Sequence, residues 1–99
     1  MEKMGRAGMT ELSDNASARR FEMPVDGHVA FVTYRRDANG VISLDHAEVP
    51  SALEGKGVGS RLVRATLDHV RGEGLKVVPR CSFVRAYIER HPEYADLLA

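Results

Sequence analysis

Only one cysteine, Cys81, occurs in the 99 residues. No internal disulfide can form and no second thiolate is available for a zinc site, which points to a reducing compartment. Long apolar runs are missing as well. Nothing approaches the roughly 20 residues needed to cross a bilayer, and the N-terminal stretch lacks the continuous apolar segment of a secretory signal. A cytoplasmic location without a membrane partner is therefore expected. Net charge is also absent, with 14 Lys and Arg against 14 Asp and Glu. A duplex nucleic-acid binder is normally basic overall, so nucleic acid is not an expected partner. The four histidines are dispersed, with no close pair at ligand spacing, and no metal site is expected.

What is present is a globular composition of 43% apolar residues without an excess of Pro or Gly. The length supports one domain with a modest core. The zero charge is a sum of unequal parts. Residues 1–53 carry a net minus two, residues 54–90 a net plus four, and the last nine a net minus two. A basic block of this kind suits an anionic ligand, or it is simply a set of solvated helix-surface arginines.

Residues 1–17 are polar and small with no sustained period, which predicts a disordered tail ahead of a domain over 18–99. Arg19–Met23 alternates and is closed by Pro24. Asp26-Gly27 is a turn leading into a second strand, Val29–Tyr34, and Asn39-Gly40 turns the chain into a third, Val41–Val49. The period then changes. After Pro50 and a Gly-rich run, Val58, Leu62, Thr66 and Val70 form one helical stripe, with Val63 and Leu67 beside it, until Gly72 and Gly74. Leu75–Val78 reads as a short buried strand. Ser82 resembles an N-cap, and Phe83, Val84, Tyr87, Ile88 and His91 recur at helical spacing up to Pro92, with a short helical turn over Glu93–Leu98. The outline is an α/β mixed-sheet domain: an antiparallel meander, a right-handed β-α-β crossover and a C-terminal helix.

The Gly-rich run, Glu54-Gly55-Lys56-Gly57-Val58-Gly59-Ser60, separates a strand from a helix. The first N–H groups of a helix have no intrahelical partner, the macrodipole is positive there, and glycine lets the backbone approach an anion. Lys56 and Arg61 add charge beside those amides. The competing reading is a tight turn that needs positive φ. A Walker A loop does not match, and a dinucleotide fingerprint fails because Ser60 stands where its last glycine belongs.

The frame Glu54-Gly55-Lys56-Gly57-Val58-Gly59 resembles the pyrophosphate loop of the GNAT acetyltransferase superfamily, Arg/Gln-x-x-Gly-x-Gly/Ala. His46-Ala47-Glu48-Val49-Pro50, Leu75–Cys81 and Tyr87-Ile88-x-x-His91-Pro92-Glu93-Tyr94 fall in the order found in short, single-domain GNAT-like proteins, over about Phe21 to Leu98. The resemblance implies a minimal GNAT fold that binds acetyl-CoA. The pantetheine arm would pair with the third strand near Val49, and the pyrophosphate would rest on the amides of Gly55, Lys56, Gly57, Val58, Gly59 and Ser60. Glu54 departs from the family's Arg or Gln. It is expected to turn outward or to hydrogen-bond at the helix end, leaving the loop amides, Lys56 and Arg61 to hold the anion.

Four residues are candidates for the reacting centre. Cys81, at the mouth of a helix and flanked by Arg80 and Arg85, could act as nucleophile or acyl carrier, or be a small buried hydrophobe. His46 and Glu48, expected in phase with Ile42 and Leu44, could deprotonate an amine, with Glu48 orienting the imidazole; the alternative is a strand-end polar pair. By the same resemblance Tyr87 could protonate the departing thiolate, or it is core packing. His91 is expected to end its helix. The expected function is acetyl transfer from acetyl-CoA to an amine of a small molecule or peptide. The acceptor site would be open or completed by a partner or a homodimer. Alternatives are a CoA or acyl-CoA binding module without transferase activity, and an adaptor whose glycine loop is only a turn.

Overall fold

The structure, a computed structural model, describes residues 12–99. Five strands lie in the order β1 (Ser13–Asn15), β2 (Arg20–Val25), β3 (His28–Arg36), β4 (Val41–Glu48) and β5 (Lys76–Pro79). The first four pair antiparallel and β5 joins β4 in parallel through the crossover helix α1 (Val58–Gly72). Helix α2 (Ser82–Arg90) and a 3-10 segment (Pro92–Leu97) complete the chain. The expected mixed-sheet architecture is borne out. Within the described residues, no helix is long and apolar enough to cross a membrane.

Turn chemistry sets the register. Asp26 (φ 51°) and Gly27 (φ 79°) are both left-handed, the two-residue turn whose twist matches a hairpin. It makes Val25 and His28 the closing hydrogen-bonded pair, so Pro24 opposite Val29 falls at the next, non-bonded rung. Pro24 therefore lies inside β2 rather than closing it: its missing N–H faces away from β3, beyond the end of β1. The second turn closes on Gly40 (φ 79°), and Asp37 Oδ1 accepts the N–H groups of Asn39 (2.8 Å) and Val41 (3.0 Å).

The tail expected over residues 1–17 needs correction at its end. Its first eleven residues lie outside the described ones, but Ser13–Asn15 pairs with Arg20–Glu22 as a further strand. Asp14 accepts hydrogen bonds from the Tyr34 hydroxyl and from Arg36. Those partners are remote in sequence, so local composition could not show them.

The core occupies one side of the sheet. Phe21 and Met23 of β2, Ala30, Val32 and Tyr34 of β3, Ile42 and Leu44 of β4 and Val77 of β5 face Leu62, Val63, Leu67 and Val70 of α1 and Val84, Tyr87 and Ile88 of α2. Alternation in strands and the helical stripes supply this single apolar layer. Buried Thr66 is satisfied by donating to the Leu62 carbonyl (2.8 Å). The other sheet face carries the alternate residues, and none of the described helices lies over it.

One irregularity repositions the predicted chemistry. Pairing steps from Thr33↔His46 to Tyr34↔Leu44, which makes Asp45 an extra residue on β4. Arg35 grips it (Nε–Oδ2 2.8 Å, Nη2–Oδ1 3.4 Å) and Ser43 Oγ donates to it (2.9 Å). His46 and Glu48 are thus not in phase with Ile42 and Leu44, as simple alternation predicts. The bulge moves them to the open face, opposite Thr33 and Phe31.

Asp37→Ala is expected to cost about 1 kcal/mol by stranding two turn amides, read as a lower urea midpoint; an unchanged midpoint would contradict the turn's role.

Candidate functional site

The parallel pair β4–β5 runs only from Val41↔Lys76 to Leu44↔Pro79. The Arg80 N–H, next in line to face β4, turns back to the Val78 carbonyl (3.1 Å), and the Cys81 N–H makes the last bond, to the Leu44 carbonyl (2.9 Å). From there Asp45–Glu48 continues with no partner strand on that side among the described residues. The strands part, and each is followed by a helix, so two helix N-termini stand at the carboxyl end of the parallel pair. In open α/β sheets this is where ligands bind.

The α1 end of the gap presents main-chain amides that precede the helical ladder. Leu53, buried on a 3-10 turn (Ser51–Leu53), anchors the loop below, and Gly55 (φ 82°) and Gly57 (φ 73°) turn the backbone through conformations other residues resist. Arg61 N–H makes the first intrahelical bond, to Gly57 O (3.2 Å), so the amides of Val58, Gly59 and Ser60 precede the ladder. No acidic residue stands in the first turn. Glu54 is exposed, and its backbone N–H donates to Ser51 O (3.1 Å). Lys56 Nζ lies 3.6 Å from Asp26 Oδ2, so its charge is directed toward the β2–β3 turn rather than left free beside the loop. Across the gap, the Phe83 ring meets the α1 backbone at Gly59, next to Val49.

The reacting-centre candidates separate onto two sides. On the open face His46 Nε2 lies 3.0 Å from Glu48 Oε1, and the imidazole stands edge-on to Phe31. Since a carboxylate only accepts, the contact makes Nε2–H the donor; in the neutral imidazole Nδ1 then carries the lone pair. Glu22, nearby on β2, is held below the usual carboxylate range by its bond from Arg20. On the helix side Cys81 is half-buried at the N-cap of α2. The helix cap is Cys81, one residue before the expected Ser82. Arg85 turns its guanidinium to the carbonyls of Pro79 (3.3 Å) and Arg80 (3.4 Å). Tyr87 is buried, which pushes its phenol above the ordinary tyrosine value, and it stacks on His91 (3.9 Å between centroids). His91 ends α2 and donates from Nδ1 to the Tyr87 carbonyl (2.9 Å). Beside Tyr87, Tyr94 donates to Asp68 (2.7 Å); burial and that carboxylate push it up to about 12.

His46 and Glu48 are therefore brought together, as are Val49 and the glycine loop, whereas Tyr87 and Cys81 lie across the sheet from His46. Sequence reasoning missed the bulge at Asp45 and the contact of Phe83 with Gly59; neither leaves a local signal. Grooves of about 450 Å³ (Ala16, Arg19, Tyr34, Arg35 and Arg36) and about 340 Å³ (among its lining residues Val41, Ser43, Val78 and Arg80) lie away from the α1 N-terminus. Volume alone does not mark the site. Among the described residues no group of three or more His, Cys, Asp or Glu could hold a metal ion.

The fold and the gap at the carboxyl end of β4 and β5 define an acetyltransferase-like domain, and comparison with known proteins specifies it. The model of the GCN5-related N-acetyltransferase family matches residues 20–97. Protein NATD1 of Homo sapiens is 32% identical over 76 residues, 75% of this chain and 67% of that protein; NATD1 of Mus musculus is 28% identical over 89 residues, 88% and 81%. The solution structure of a GCN5-like protein from Staphylococcus aureus superposes with a TM-score of 0.67 at 32% identity, covering 92% of this chain and 91% of that one. The chain belongs to the GCN5-related N-acetyltransferase family.

Raised tyrosine pKa values stabilise the fold below about pH 10 and that contribution is lost as pH rises toward 12. Between pH 9 and 11 Tyr94→Phe should lose about 1 kcal/mol less unfolding free energy than the parent; equal losses in denaturant titrations would refute the Tyr94 contribution.

Proposed function

We propose that the protein binds acetyl-CoA in the gap between β4 and β5 and transfers acetyl to an amine presented on the open face of the sheet. The observation that carries this reading is the convergence of the acid-free N-terminus of α1 and the unpaired edge of β4 on one opening. The residues fit the cosubstrate of the family. The amides from Gly57 to Ser60 would hold the diphosphate. The free N–H and C=O groups of β4 up to Val49 would pair with the amide-bearing arm. The exposed Glu54 carboxylate can stay clear of the anion.

Acetyl-CoA, when bound, supplies an activated acyl group as a thioester. The chain's own residues then act from opposite sides. His46 Nδ1, with Nε2–H held by Glu48, takes the proton that an ammonium acceptor must lose before attack. Cys81 and Tyr87 stand on the helix side, where the leaving sulfur would be, and the Tyr87 phenol, like any tyrosine at neutral pH, carries a proton it could donate. Cys81 already supplies backbone bonds through its N–H and carbonyl, and a direct transfer needs no acyl-cysteine.

A second reading, a CoA-binding module without transferase activity, draws on the exposure of the catalytic pair, with His46 and Glu48 side chains 60% and 56% accessible. No described element encloses an acceptor there. Turnover with an amine panel separates the two readings.

Calorimetry with CoA tests the cleft. Gly57→Asp places a carboxylate at the α1 N-cap and should weaken binding tenfold or more, by about 1.4 kcal/mol at least. Lys56→Glu should weaken it less, because Asp26 already engages Lys56. Unchanged affinity in both variants sinks the assignment. For the base, His46→Gln should alter the pH profile of kcat/KM; a profile superimposing on the parent's removes His46 from the chemistry.

A further inference from the structure

We propose that Phe83 is the residue that selects and seats the arm of CoA, as distinct from its anionic end. The inference rests on the CoA reading above and deepens it.

Gly59 lies in the first turn of α1 with no left-handed φ, so its backbone does not require glycine. A glycine inside a helix is less favourable than alanine. Space explains it: a Cβ at position 59 would come within 3.0 Å of Phe83 Cζ and 3.3 Å of Cε2, and within 3.7 Å of Val49 Cγ2. The missing side chain lets an aromatic ring from α2 rest on the α1 backbone. Core packing does not account for this arrangement, because Phe83 remains 39% accessible, while Val84 beside it and Tyr87 one turn on are buried. One side of the ring is seated against Gly59 and the rest of it is left open.

The location gives the exposed part its role. Phe83 bridges the N-terminus of α2, the N-terminus of α1 and the end of β4, where Val49 emerges. The amides of α1 face an anion, but the arm between the diphosphate and the thioester is uncharged and carries methyl groups. Val49 and Phe83 form an apolar wall for it, and the β4 edge offers hydrogen bonds opposite. The anionic end would be recognised by backbone and the arm by this ring. The two recognitions should be separable by substitution.

Two titrations of the full chain test this, one with CoA and one with adenosine 3′-phosphate 5′-diphosphate, which has the anionic end without the arm. Phe83→Ala is expected to weaken CoA about tenfold while leaving the nucleotide within about twofold. Phe83→Leu should recover most of the CoA affinity. Unchanged CoA affinity in Phe83→Ala, or an equal loss for both ligands, overturns the inference while leaving the CoA reading standing. A parent protein that binds neither ligand overturns both. Thermal unfolding checks the seat itself: Gly59→Ala should lower the Tm of the parent but much less that of Phe83→Ala. Equal lowering in the two backgrounds would show that the ring does not rest there.

Discussion

The brevity of the parallel β4–β5 ladder governs the rest of this molecule. It ends because the Arg80 amide turns back to the Val78 carbonyl and the Cys81 amide takes the Leu44 carbonyl in its place as the chain enters α2. A longer ladder would bury the β4 edge, and a shorter one would leave β5 too weakly attached to carry α2. The outer side of β5 is held separately, by the Ala99 N–H on the Val77 carbonyl (2.9 Å) and by Lys76 on the Asp96 carbonyl (2.7 Å). With both margins fixed, the strands can part without the sheet fraying, and the opening falls at the two helix N-termini.

The bulge at Asp45 assigns the two sides of that opening different chemistry. Without the extra residue, His46 and Glu48 would point at the apolar layer beneath α1 and α2, where an imidazole and a carboxylate would be costly to bury. With it they reach solvent, and Ala47 takes the inward position against the core. Asp45 itself is held below the usual carboxylate range by the bond from Arg35 first, against a smaller desolvation cost, so the irregular backbone is fixed by a charged clamp. Under the proposed function this division would set the proton acceptor on one face and the Tyr87 phenol on the other.

How much of this could be read from the chain depended on whether the signal was local. The meander, the crossover helix and the glycine loop were legible because Asp26-Gly27, Asn39-Gly40 and the stripe from Val58 to Val70 each declare themselves within a few residues. Ser13–Asn15 was not, since a three-residue strand of polar side chains becomes one only through its partners on β2 and β3. The phase of His46 and Glu48 was misjudged for a related reason. A bulge changes the face of every residue after it, yet Asp45 is marked only by Arg35 across the ladder. Phe83 fits the same helical period as its buried neighbours Val84 and Tyr87, so spacing alone does not reveal its exposure.

The division of charge along the chain looks different once contacts are known. The net plus four over residues 54–90 is in part answered nearby. Arg71 forms a two-bond pair with Asp96 (2.9 and 3.0 Å), Lys56 reaches Asp26, and Arg85 and Lys76 bind backbone carbonyls. A ligand approaching the gap does not meet the summed charge of the block. It meets the local field at the start of α1, where the backbone dipoles point outward and no carboxylate stands in the first turn. Side-chain charge falls away steeply in salt, whereas amides fixed at contact distance do not. In the proposed function, anion recognition would rest on the backbone, and Glu54, which lies outside the helix and is exposed, would not oppose it.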